Sequence, residues 1–101
     1  MKFENAEQTA SFELPDKLTV RQQLGYRTRL YGGIRNDDYD TYVSMWTAVI
    51  PLFEKWECEF IPDPKALNLD TETDPRIADV VFWAGNRAAA HIQSAGQVQK
   101  N

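Results

Sequence analysis

Between residues 39 and 53 the apolar positions recur at helical spacing. Tyr39, Tyr42, Val43, Trp46, Val49, Ile50 and Phe53 follow one another at steps of three and one. This is the strongest periodic signal in the chain. It predicts a helix that opens around residues 36–38, where capping side chains and acids suit the positive helix end. Pro51 lies inside the run and should kink or weaken it, at about 3 kcal/mol if fully interior. An earlier helix is expected from Thr19, because Gln22 three residues on completes a capping box. Val20, Leu24, Arg27 and Tyr31 share its stripe, with Leu30 beside them. The apolar count is low, so this helix should lie half exposed, and Gly32-Gly33 is its expected stop. A third helix is expected from Asp74-Pro75, a capping acid followed by proline at the first helical position. Its inner face should hold Ile77, Val80, Val81, Ala84, Ala88, His91, Ile92 and Ala95, with Gly96 as the stop. Phe82 and Trp83 lie outside that stripe.

Residues 56–61 alternate apolar and acidic side chains, which is a strand period. They suit either a two-stranded ribbon with the Phe12 region or an extended connector. Pro62 and Pro64 end the stretch, and residues 62–74 read as a surface loop. Residues 1–13 are polar apart from Phe3 and Phe12, and read as a loose arm with a short extended piece at residues 11–14. The expected fold is mainly α: a small three-helix domain over residues 14–96 with a short two-stranded β element. A flexible N-terminal arm (residues 1–13) precedes it and a frayed tail (residues 97–101) follows.

Composition narrows the function classes. The chain has 101 residues, room for one core only. Three tryptophans, four tyrosines and five phenylalanines can fill that core, so the chain should fold. The net charge of −4 disfavours nucleic acid as a partner, since phosphate contact needs a basic surface. A lone Cys58 excludes an internal disulfide, and with the one histidine, His91, it is too little for a four-ligand structural metal site. Residues 1–7 lack the apolar run of a secretory signal, and no apolar run approaches the ~18 residues of a membrane span. A cytoplasmic location is the expectation.

Candidate chemistry is sparse. Asn68, Asp70, Glu72, Asp74 and Asp79 loosely echo a calcium loop, but Thr73 stands where the loop needs glycine. They read better as a solvated loop with a helix cap. Asp37, Asp38 and Asp40 open a helix, and the helix dipole already accounts for them. Cys58 and His91 could pair as nucleophile and base, but Glu57 and Glu59 flank Cys58 and would dull its thiol, and neither residue has an oxyanion motif beside it. Gly32-Gly33 has no phosphate-loop context. No catalytic, metal or cofactor-binding residue is assigned, and an enzyme is not expected. Charge is more informative. Residues 19–35 hold Arg21, Arg27, Arg29 and Arg35 and no acid, whereas residues 54–74 hold seven acids against two lysines. The two segments could pair within the fold, or could join copies head to tail or recruit a partner. Phe82 and Trp83 mark either a helix central to the bundle or an exposed aromatic interface. Arg21, Arg27, Arg29, Phe82 and Trp83 are therefore the candidate partner-binding residues.

The order of segments resembles a family. Leu14-Pro15 is followed by Leu18-Thr19-Val20-Arg21-Gln22 and then by the Tyr- and Trp-bearing helix that ends at Trp56-Glu57-Cys58. Leu69-Asp70, Asp74-Pro75-Arg76, residues 79–86 (DVVFWAGN) and a Lys100-Asn101 ending come after. Over residues 12–101 this is similar to the small tail assembly chaperones of tailed phages and prophages. The resemblance implies an acidic, helical, non-enzymatic protein in the cytoplasm of the bacterial host. Such a protein binds the tape measure protein during tail assembly and can form homo-oligomers. It also implies a ribosomal frameshift near the gene's end, with which Gln99-Lys100-Asn101 is compatible. Two other readings remain: a structural neck or tail component of the virion, such as an adaptor or completion protein, and a small antitoxin-like bacterial regulator.

Overall fold

The computed structural model describes residues 1–34 and 41–98. Three helices and a small antiparallel sheet make up the domain, so the fold is mainly helical with a β component. Strands β1 (Lys2–Glu4) and β2 (Ala10–Glu13) come first, then helices α1 (Val20–Ile34) and α2 (Thr41–Val49), strand β3 (Glu54–Cys58) and helix α3 (Pro75–Val98). β2 is the central strand, between β1 and β3. α2 packs against both α1 and α3.

The first thirteen residues are not a loose arm. They form the β1–β2 hairpin, with Phe3 opposite Phe12 in the ladder. The two rings stack at 5.1 Å and both are buried. Asn5 ties the turn together: its Oδ1 accepts from the amides of Thr9 (2.9 Å) and Ala10 (3.0 Å), and its Nδ2 donates to Thr9 Oγ1. At the open end the Met1 amine donates to the Leu14 carbonyl. A pair of phenylalanines that each place one ring in the core is enough to fix an otherwise polar segment.

β3 pairs with β2, so of the two readings of residues 56–61 the ribbon with the Phe12 region is the one found, but shifted: the strand spans Glu54–Cys58, residues 59–61 lie beyond it, and β1 adds a third strand. Ser11 faces Glu57 and Glu13 faces Glu54, which leaves one extra residue on β3. Lys55, at φ 49°, lies in this bulge. Around Phe12 the rings of Phe53 (4.7 Å), Trp83 (5.3 Å) and Trp56 (6.1 Å) close an aromatic core, and Trp46 meets Phe53 and Trp56 from α2. The Trp56 indole N–H donates to the Ile61 carbonyl at 2.7 Å.

The α1 capping box forms as expected. The Thr19 amide donates to Gln22 Oε1, and the Gln22 amide donates to Thr19 Oγ1. Two expectations for this helix fail. Gly32 and Gly33 lie inside it, because α1 continues to Ile34 without a left-handed glycine among the described residues. The stripe of Val20, Leu24, Arg27 and Tyr31 faces solvent, while Tyr26 is buried and Gln22, Arg29 and Leu30 are half-buried. The inner face is set by Tyr26 together with Arg29, whose Nε and Nη2 donate to the Ala48 carbonyl at 3.0 and 2.8 Å. That carbonyl lies in the last turn of α2, where helix carbonyls lack intrahelical partners.

α2 stops at Val49 and tightens into a 3-10 turn at Ile50–Leu52, which accommodates Pro51. The expected start at residues 36–38, together with Tyr39, lies outside the described residues, as do Arg35 and the Asp37, Asp38 and Asp40 cluster. In α3 the buried face holds Ile77, Val80, Val81, Ala84, Ala88 and Ile92, as the spacing predicts, with Ala89 in addition; His91 is half-buried, and the side chain of Ala95 lies outside the described residues. Gly96 does not end this helix, which runs to Val98. A glycine costs a helix about 1 kcal/mol but terminates it only when it leaves the helical conformation. Residues 99–101 of the expected tail lie outside the described residues.

Candidate functional site

Several of the polar residues singled out in the sequence serve local structure. Asn68 organises a turn, its Oδ1 accepting from the Asp70 amide and its carbonyl from the amides of Thr71 and Glu72. Asp74 caps α3 by accepting from the Arg76 amide, and its carboxylate takes a two-pronged contact from the Arg76 guanidinium, the shortest leg 2.7 Å. The side-chain bonds from Arg76 hold the Asp74 carboxyl below its usual range. Cys58 is half-buried in β3, opposite Ala10. His91 is half-buried on α3, its Nε2 3.0 Å from the Pro15 carbonyl and its ring edge-on to Phe3. Among the described residues no group of three or more His, Cys, Asp or Glu is placed to hold a metal ion. No described helix is long and apolar enough to cross a membrane.

The five candidate partner-binding residues do not form one patch. Arg21 and Arg27 are exposed on the outer face of α1 and make no ion pair among the described residues. The ion pairs found there are Met1–Asp16, Lys55–Glu13 and Arg76–Asp74. Pairing of the arginine helix with the acidic segment inside the fold is therefore absent among the described residues. Arg29 is committed to Ala48, and burial lowers its pKa from the usual arginine value. Trp83 belongs to the aromatic core, edge-on to Phe12. Phe82, one residue away on α3, points the other way and is 51% exposed. The alternatives for this pair thus divide between its two members.

Phe82 opens onto a groove of about 370 Å³. One wall is Tyr42 and Val43 of α2, and the other is the first turns of α3, from Pro75 through Ile77 and Ala78 to Val81 and Phe82. The loop with Leu69, Glu72 and Thr73 closes one end. Tyr42 and Phe82 pack with ring centroids 4.7 Å apart. The lining is largely apolar, with carboxylates from Glu72 and Asp74 and no lysine or arginine. Such a surface can take apolar side chains with a cationic neighbour. In the sequence Tyr42 belongs to the apolar helical stripe and Leu69 to a surface loop. The available signal was Leu67 and Leu69 in an otherwise polar stretch; both are half-buried.

A second cleft of about 360 Å³ lies between the β1–β2 turn and α3, lined by Asn5, Glu7, Phe60, Arg76, Asp79 and Trp83 among others. Its arginine is already used: Arg76 lies over the Phe60 ring at 4.3 Å and pairs with Asp74. No family model, curated protein sequence or solved structure matches this chain.

Proposed function

We propose that this chain is a non-enzymatic phage tail assembly chaperone whose groove receives an apolar helical stripe of the tape measure protein during tail morphogenesis. The observation that carries the reading is the Tyr42–Phe82 groove, a preformed apolar surface on a small acidic domain. Resemblance of residues 12–101 to tail chaperones supplies the partner, and the groove supplies a means of holding it. A tape measure protein is long and largely helical, and its apolar stripes need cover until the tail encloses them. Helix-in-groove docking provides that cover through side chains spaced three and four apart. The site of action is then the cytoplasm of the bacterial host.

The test is co-expression with the tape measure protein of the same phage. The wild-type chain is expected to keep that protein soluble and to co-purify with it, while Phe82→Glu loses both effects and stays folded. Insoluble tape measure protein in the presence of the wild-type chain would overturn the reading. So would finding the chain at fixed copy number in purified particles, which marks a structural neck or tail component.

A further inference from the structure

The cleft between the β1–β2 turn and α3 combines free negative charge with aromatic walls. Glu7 lines it from the turn and Asp79 from α3, and both are exposed. Neither carboxylate has an ion-pair partner among the described residues, whose pairs are Met1–Asp16, Lys55–Glu13 and Arg76–Asp74. Phe60 and Trp83, both half-buried, supply the aromatic walls. Asn5 holds the turn in shape: its Oδ1 accepts from the amides of Thr9 and Ala10, and its carbonyl accepts from the amide of Gln8. The backbone that carries Glu7 is thus preformed, which lowers the ordering cost of binding.

Arg76 shows what this cleft accepts. Its guanidinium lies over the Phe60 ring at 4.3 Å, so an organic cation of the chain's own already rests on one aromatic wall. Asp74 neutralises that cation, with a shortest contact of 2.7 Å. The two carboxylates of Glu7 and Asp79 are left without a counter-ion. We propose that the cleft binds a free alkyl diamine, its two ammonium groups meeting Glu7 and Asp79 and its methylene stem covering Trp83. Two acids on separate elements match two charges, whereas a lysine side chain of a partner would leave one acid unmatched. A bare metal ion gains nothing from the aromatic walls, and no third carboxylate, histidine or cysteine joins the two acids among the described residues. The volume of about 360 Å³ lies in the range of small-ligand sites. The diamine joins the hairpin turn to α3, so its binding fastens one to the other. The cleft shares no lining residue with the Tyr42–Phe82 groove, and the inference stands whether or not that groove holds a tape measure protein.

Nuclear magnetic resonance titration of the full-length chain with 1,4-diaminobutane at low ionic strength tests this. The Trp83 indole N–H and the amides of Glu7 and Asp79 are expected to shift saturably, with Phe82 and Leu69 unmoved. The melting temperature should rise with diamine concentration, because the ligand binds only the folded chain. Glu7→Gln and Asp79→Asn alter exposed side chains and should each weaken binding about fivefold, the upper end for a solvent-exposed ion pair. Glu57→Gln removes an exposed charge outside the cleft and should leave binding unchanged. 1-Aminobutane, with one charge, should bind more weakly than the diamine, and this comparison needs no variant if either substitution disturbs folding. The absence of saturable shifts at the cleft, equal binding of the monoamine, equal shifts with magnesium chloride, or unchanged binding in the folded double variant would each overturn the proposal. Tighter binding of N-acetyl-lysine amide than of the diamine would overturn it in favour of a partner's side chain.

Discussion

Trp46 and Phe82 are both aromatic residues on helices that pack together, yet they serve opposite ends. Trp46 is 1% exposed and wedged against Phe53 and Trp56. Trp46→Ala should cost about 3–5 kcal/mol, through lost transfer energy and the cavity left behind. Against a total of about 5–15 kcal/mol, that brings the urea midpoint down steeply. Phe82 is half exposed, and Phe82→Ala removes mainly its packing on Tyr42, about 0.5–1.5 kcal/mol. Urea melts of the two variants should therefore differ several-fold in lost stability; equal losses would place Phe82 in the core and undo the groove. Gln8 is a third informative residue. It adopts φ 58° in the β1–β2 turn, a region that favours glycine. Gln8→Gly should gain about 0.5–1 kcal/mol in the same melts, and a loss would mean that the Gln8 side chain supports the turn.

Elements differ in how openly the sequence announces them, and the reason is contrast. α3 was legible in its start, its spacing and its inner face, because alanines, valines and isoleucines alternate with polar residues at 3.6 spacing. The register of α1 was not. Its apolar residues are few, and the face that packs carries Gln22, Tyr26 and Arg29. An arginine that caps a neighbouring helix looks like a surface charge in sequence. The β1–β2 hairpin was missed because strands of three and four residues show too few inward side chains for a period to register. The groove draws on three separate segments, at Tyr42, Leu69 and Phe82, and only folding brings them together. At the α3 start, the depressed Asp74 carboxyl has a pH consequence. Its folded pKa lies below the unfolded value of about 4, so its contribution is fully present above that value. The contribution is lost as pH falls through the folded pKa. Asp74→Asn should therefore melt earlier than wild type near neutrality, and the two melting temperatures should converge on acidification below pH 4. A gap that stays constant with pH would show that the Arg76 contact does not act through the charge of Asp74.

At the scale of the whole molecule, the chain combines an aromatic core with an exposed apolar stripe on α1 and the Tyr42–Phe82 groove. That division suits a protein whose work is to hold another chain rather than to transform a small molecule. The most direct measurement of the central claim is amide hydrogen exchange of the chain, alone and bound to the tape measure protein. New protection is expected around Tyr42 and Val43, in the loop containing Leu69 and Glu72, and in the first two turns of α3, with β1 and β2 unchanged. Protection confined to the sheet, or none at the groove in a formed complex, would contradict the account.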